Sequence, residues 1–258
     1  MCYMIIDAHV HLVRTRQFGI DPERWNRSAL LYAERFDVKL CAFITTEISP
    51  SPSSFKKDNR ALAKLMQLYP ERILGFVYVN PNFPEEAVKE IETCVNEYGM
   101  VGVKLLRSCR CNSPKLYPIA EKAIELKIPI LQHAGNQHGV ENRPGESYTE
   151  DVIELARKYP DLVIIMAHVA GGGDWEYEIK AIKRYKNIYL DTSGSVTDLG
   201  IIEMGVRELG AERLVFGTDG SVCESLGRIY GANITEEQRR KILYENMAKI
   251  LARRGISI

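Results

Sequence analysis

Eight short apolar runs, rich in β-branched residues, alternate with amphipathic segments along this 258-residue chain, and that rhythm limits the possible folds more than any other feature. The runs cover residues 4–11, 38–45, 73–79, 101–106, 128–133, 162–168, 187–191 and 213–218. Several are apolar almost without interruption, such as Leu162-Val163-Ile164-Ile165-Met166. A strand that faces water on one side alternates polar and apolar residues; a continuous apolar strand is covered on both faces, as in a parallel sheet. Helix patterns lie between the runs. Residues 84–98 follow Asn82-Phe83 and stop at Gly99, and 149–158 stop before Pro160. Residues 175–185 and 197–209 read similarly, and the capping box Thr235-Glu236-Glu237-Gln238 opens a last helix to about residue 254.

Eight β/α units in a chain of this length predict an α/β fold, a (β/α)8 TIM barrel in which residues 1–258 form a single domain. A doubly wound open sheet is the alternative, but it calls for a glycine-rich loop after the first strand. The first run instead ends His9-Val10-His11-Leu12-Val13-Arg14. With 45% hydrophobic residues the chain can fill one sizeable core, and no composition break marks a linker.

Lys and Arg together number 34, as do Asp and Glu, so the formal net charge is zero and no basic field points to nucleic acid. The six cysteines lie mostly in apolar stretches, unlike a secreted disulfide framework. Cys109-Arg110-Cys111 is the one close pair and reads as two loop thiols. No basic segment precedes a long apolar run at the start, and no run approaches the roughly 18 apolar residues of a membrane helix. The expectation is a soluble cytoplasmic protein acting on a small molecule, with no membrane partner and a homo-oligomer open.

Barrel chemistry sits at the C-terminal ends of strands. Asp7-x-His9-x-His11 closes the first run, and period-two alternation places all three side chains on one side. Lys104 lies in the fourth run, His133 ends the fifth, His168 ends the sixth and Asp219 follows the eighth. Four of the five histidines thus fall at one end of the predicted barrel; His138 alone lies in a loop. Neutral imidazoles on a rigid face suit divalent transition metals.

Together these residues resemble the amidohydrolase superfamily of metal-dependent barrels, in its amidohydrolase 2 branch. The matching motifs are Asp7-Ala8-His9-Val10-His11, Gly102-Val103-Lys104-Leu105, Gln132-His133-Ala134-Gly135, Ala167-His168-Val169-Ala170, Tyr189-Leu190-Asp191-Thr192-Ser193 and Phe216-Gly217-Thr218-Asp219. The resemblance implies that His9, His11, His133 and Asp219 hold one divalent ion, expected to be Zn²⁺. It implies that His168 is a catalytic acid/base or an oxyanion partner, and that Asp219 also orients or deprotonates the attacking water. Such a water has its pKa lowered from about 15.7 to near 7. In binuclear members a carboxylated lysine on strand four bridges two ions, so Lys104 and His168 could serve a second metal. The other reading of Lys104 is a cation for a substrate carboxylate. Asp7 is assigned to support of the histidines. Arg14, Arg16, Arg107, Arg110 and Arg143, with Asn136 and His138, form a rim suited to a carboxylated substrate, Arg14 and Arg107 foremost.

After Asp219 the branch often has a proline, where this chain has Gly220-Ser221-Val222-Cys223. The chain is also short for the decarboxylases of the branch. The expectation is therefore a hydrolase of a lactone, amide or ester; the alternatives are a decarboxylase of a small carboxylic acid, or a catalytically silent barrel. TatD-like nucleases also open with His-x-His, but carry a Glu on strand four where this chain has Lys104.

Overall fold

A computed structural model describes residues 4–135, 143, 145–169 and 174–258. Eight parallel strands follow one another in chain order: β1 (Ile5–Leu12), β2 (Val38–Ile44), β3 (Ile73–Tyr78), β4 (Gly102–Leu105), β5 (Ile130–Gln132), β6 (Ile164–Met166), β7 (Ile188–Asp191) and β8 (Leu214–Val215). β8 meets β1 through Ala8 N–H to Phe216 O (2.8 Å) and Asp219 N–H to His9 O (2.9 Å), so the sheet nearly closes. The result is the (β/α)8 TIM barrel, a single domain.

Helices α1 (Pro22–Phe36), α2 (Pro52–Leu68), α3 (Pro84–Glu97), α4 (Tyr117–Glu125), α5 (Thr149–Lys158), α6 (Trp175–Ala181), α7 (Ile201–Leu209), α8 (Val222–Gly231), α9 (Glu236–Arg240) and α10 (Asn246–Ala252) surround it. The sequence sets several starts. Asp21 and Ser51 cap free N–H groups ahead of Pro22 and Pro52, whose fixed φ suits a first helical turn. Thr235 and Gln238 form the expected capping box. The 175–185 pattern is realised as α6 plus a 3₁₀ turn, Ile182–Arg184. α7 begins four residues later than its pattern because Gly200 turns the chain at φ 92°. The last helix is interrupted by a wide turn at Lys241–Glu245, between α9 and α10. α8, absent from the sequence-based expectation, follows the Gly220-Ser221 turn directly.

Two apolar cores result. The larger lies between strands and helices, with Val10, Leu12, Leu40, Ala42 and Ile44; the smaller fills the barrel, with Ile6, Ala8, Phe43, Phe76, Leu131, Ile165 and Val215. Gly102 leaves room for the Phe76 ring, whose edge lies 2.6 Å from where a Cβ would be.

The expectation that Asp7, His9 and His11 share one side is corrected. β1 slips against β2 between Asp7 and Val10: Asp7 pairs with Leu40, an outer-core residue, whereas His11 pairs with Phe43, an inner one. One extra residue in a strand reverses every later side chain. The bulge therefore aims His9 and His11 into the barrel mouth and leaves Asp7 on the helix side.

Candidate metal centre

His9 is fully buried, and its two nitrogens have separate tasks. Nδ1 lies 2.6 Å from Asp191 Oδ2. A carboxylate only accepts, so Nδ1 carries the proton and Nε2 keeps its lone pair. Asp191 is itself held by Ser193, through its N–H and Oγ, each at 2.8 Å. His9 Nε2 lies 3.3 Å from Asp219 Oδ1, and His11 Nε2 lies 3.1 Å from the same oxygen. His11 Nδ1 contacts Thr45 Oγ1 at 3.0 Å. His168 Nδ1 stands 3.6 Å from Asp219 Oδ2. Asp219 is thus the point on which three imidazoles converge.

Backbone strain contributes to this convergence. His168 and Asp219 have φ of 73° and 48°, left-handed values that non-glycine residues rarely adopt. Gly217 makes close approach possible: a Cβ there would lie 2.8 Å from Asp191 Cγ and 3.0 Å from His9 Cβ.

The electrostatics are those of a cation site. Burial, followed by the charge of Lys104, lowers the pKa of His9 well below the usual histidine value. Burial and the neighbouring His9 do the same to His168. Burial opposes ionisation of Asp219, but the surrounding His9, His11 and His168 outweigh it and hold the carboxyl below its usual range. Neutral imidazoles beside an ionised carboxylate are a donor set for a divalent cation. One donor atom each from His9, His168 and Asp219 lies within 4.8 Å of the others. Among the described residues, this donor set therefore fits a divalent metal ion.

The remaining expected residues fall around this centre. His133 joins it through His168: its Nδ1 meets His168 Nε2 at 3.0 Å and its Nε2 meets Glu146 Oε1 at 2.7 Å. Lys104 is fully buried, with Nζ 3.2 Å from His9 Nε2 and 4.9 Å from the Phe43 ring centre. Burial pushes its pKa down to about 8, against the pull of Asp219 and Asp191. Its ammonium and a metal ion would compete for one lone pair of His9. Asp7 supports the centre through backbone: Oδ1 accepts from His9 N–H (3.1 Å) and Thr218 N–H (3.0 Å), and Oδ2 from Thr218 Oγ1 (2.6 Å). It so ties the β1 bulge to the end of β8. Arg14 is bound to the buried Asp58 at 2.7 Å, and Arg107 pairs with Glu146 Oε2 at 3.6 Å. Asn136, His138 and Gly171–Gly173 lie outside the described residues.

Asp191, Ser193 and Glu146 are the residues that sequence reasoning did not assign. Asp191 had a signal, since it ends the seventh run as the histidines end theirs. Glu146 had none, because its contact with His133 forms across a loop.

A family model described as amidohydrolase (Amidohydro_2) matches residues 6–253. The chain belongs to this family. It is 26% identical over 241 residues to a gamma-resorcylate decarboxylase of Polaromonas sp. strain JS666, covering 74% of each protein. It is 26% identical over 242 residues to a 2-keto-4-carboxy-3-hexenedioate hydratase of Sphingobium sp. strain SYK-6, covering 76% of this chain and 70% of the hydratase. The crystal structure of a dihydroxybenzoic acid decarboxylase from Polaromonas sp. JS666, with bound manganese and the inhibitor 2-nitroresorcinol, superimposes with a TM-score of 0.76 at 19% identity over 96% of each chain. At that identity the superposition establishes a shared fold. No described helix is long and apolar enough to cross a membrane.

Proposed function

We propose that this amidohydrolase-family protein is a metal-dependent carbon–carbon lyase that decarboxylates a small hydroxylated carboxylic acid. The observation that carries the reading is the convergence of His9, His11 and His168 on Asp219 at the mouth of the barrel. The relatives support the reaction class, being decarboxylases and a hydratase by name; hydrolysis, favoured by the sequence alone, has less support. Chain length does not argue against decarboxylation, since the match covers 74% of the gamma-resorcylate decarboxylase.

In this reading His9, His11 and Asp219 hold the ion, because both Nε2 atoms face one carboxylate oxygen. The ion would supply positive charge for the substrate's carboxylate and for negative charge that develops as the bond breaks. Manganese is the first candidate and zinc the second. Loss of CO₂ leaves an electron pair on carbon, and a proton must take its place. His168 is suited to relay it: the ring, neutral at rest, would take a proton from solvent at Nδ1 and pass it to carbon, with Ser193 3.1 Å from that atom and His133 at Nε2 fixing its orientation. With both nitrogens engaged, His168 is a better proton carrier than ligand. Asp191 and Asp7 position the ligands and take no part in bond changes.

The test is CO₂ release from a panel of hydroxybenzoic acids by manganese- or zinc-loaded protein, beside lactones and amides. CO₂ with the matching phenol is expected. Lactone or amide opening without CO₂ overturns the reading. His168→Ala should keep the metal and lose turnover by roughly 10²–10⁴-fold, the range for a positioned acid or base. Loss of the metal in that variant would make His168 a ligand.

A further inference from the structure

The rim arginines that the sequence offered for a substrate carboxylate are already engaged. Arg14 Nε binds Asp58 at 2.7 Å, Arg107 pairs with Glu146 at 3.6 Å and Arg110 Nε pairs with Asp151 at 3.4 Å. All three carboxylates are buried. Arg16 and Arg143 are exposed, where water screens them.

Glu146 is the one of these three that touches the centre, through His133. Its place is fixed by the backbone around it. Gly135 N–H binds Ser147 O at 2.8 Å, Cys111 N–H binds Ser147 Oγ at 2.9 Å, and Arg110 Nε binds Glu146 O at 3.3 Å. Gly145, at φ 78°, lies flat against the Arg107 backbone, where a Cβ would come within 3.0 Å of the carbonyl carbon. Gly135 likewise leaves room for the side chain, with Glu146 Cγ 2.7 Å from a Cβ position.

We propose that Glu146 is a specificity-determining residue: it neutralises Arg107, matching the site to an acid with one carboxylate and closing it to a second. The inference rests on the proposed function only in taking the substrate to be a carboxylic acid. It places this chain with relatives named for a monoacid, such as gamma-resorcylate, rather than for a hexenedioate. A second carboxylate would meet Glu146 instead of a free guanidinium, and like charges brought together out of water are strongly unfavourable.

Calorimetric titration of the manganese-loaded protein with 2-hydroxybenzoate and with 2-hydroxybenzene-1,3-dicarboxylate tests this. The native protein should bind the monoacid at least tenfold more tightly. Glu146→Gln should raise affinity for the diacid at least tenfold, and adding Arg107→Met to it should abolish that gain. Equal or tighter native binding of the diacid, binding of neither acid, an unchanged ratio in Glu146→Gln, or a gain that survives loss of Arg107 overturns the inference. Should Glu146→Gln not fold, the native ratio decides alone. Binding is read without turnover, so failure to release CO₂ would defeat the decarboxylase reading and leave this one to stand or fall separately.

Discussion

Asp191 shows how much one side chain carries. Its Oδ2 accepts hydrogen bonds from His9 Nδ1–H and the Ser193 hydroxyl, and its Oδ1 accepts one from the Ser193 N–H. Asn would present an N–H₂ group to at least one of these donors. Asp191→Asn should therefore weaken metal binding by about 10–100-fold and cost about 1–3 kcal/mol of stability for the unsatisfied buried donor. Chelator competition and urea unfolding measure the two. Glu178, on α6 and not part of the cluster around Asp219, gives a pH test. Burial raises its pKa well above the usual value, with Asp174 and Glu150 adding to it. Its Oε2 has no hydrogen-bond partner. The folded state therefore holds this proton at a pH where the unfolded chain has released it. Stability from this group is complete below the ordinary glutamate pKa of 4.5 and falls as pH rises through the higher folded value. Glu178→Gln should unfold like the native protein near pH 4 and be more stable above pH 6, by urea titration at each pH.

The bulge in β1 is the element on which the site depends. Without it the strand's alternation would put Asp7 in the barrel with the histidines; with it Asp7 ties β1 to Thr218 from behind. The eight strands were legible because each is a β-branched run, buried in an inner or outer core. The bulge was not, since nothing in Asp-Ala-His-Val-His distinguishes an extra residue from regular alternation. α8 was missed because Gly227 and Gly231 interrupt its helical pattern, and only packing against its neighbours selects the helix. The four site histidines and Asp219 could be read from strand ends; that His133 turns to Glu146 could not, because that contact is made by a loop. The close passage of β8 beside β1 and β7 predicts a sharp effect at Gly217. Gly217→Ala would drive a methyl into Asp191 and His9. It should destabilise by about 1–3 kcal/mol, the usual cost of overpacking, and lower metal affinity together with stability. Thermal unfolding and metal titration of the one variant would show both losses, whereas Gly227→Ala, inside α8 and with open space for a Cβ, should leave metal affinity unchanged and raise stability by about 0.5–1 kcal/mol.

At the scale of the molecule, a single barrel brings together groups as far apart in sequence as His9 and Asp219, 210 residues, and Asp7 and Thr218, 211. An ion held as proposed, by β1 and the end of β8, would join the two strands at which the sheet must close. β8 has only two ladder residues, so closure rests on a few hydrogen bonds and on the site itself. Metal binding there would be coupled to the stability of the whole fold, because the unfolded chain offers no assembled site. At a free metal concentration of 100 times Kd, an ion that binds only the folded state adds about 2.7 kcal/mol. For a chain of this size each kcal/mol moves the melting temperature by about 2–4 °C. Chelator-treated protein should thus melt about 5–11 °C below the same protein given saturating manganese or zinc. Because His9 and Asp219 stand on opposite sides of the seam, His9→Ala and Asp219→Ala should each abolish the metal-dependent shift. Glu178→Gln, remote from the seam, should retain it in full. Differential scanning calorimetry of the four proteins with and without metal makes the measurement. A shift that persists without His9 would mean that the ion binds elsewhere, and that closure of the barrel does not depend on it.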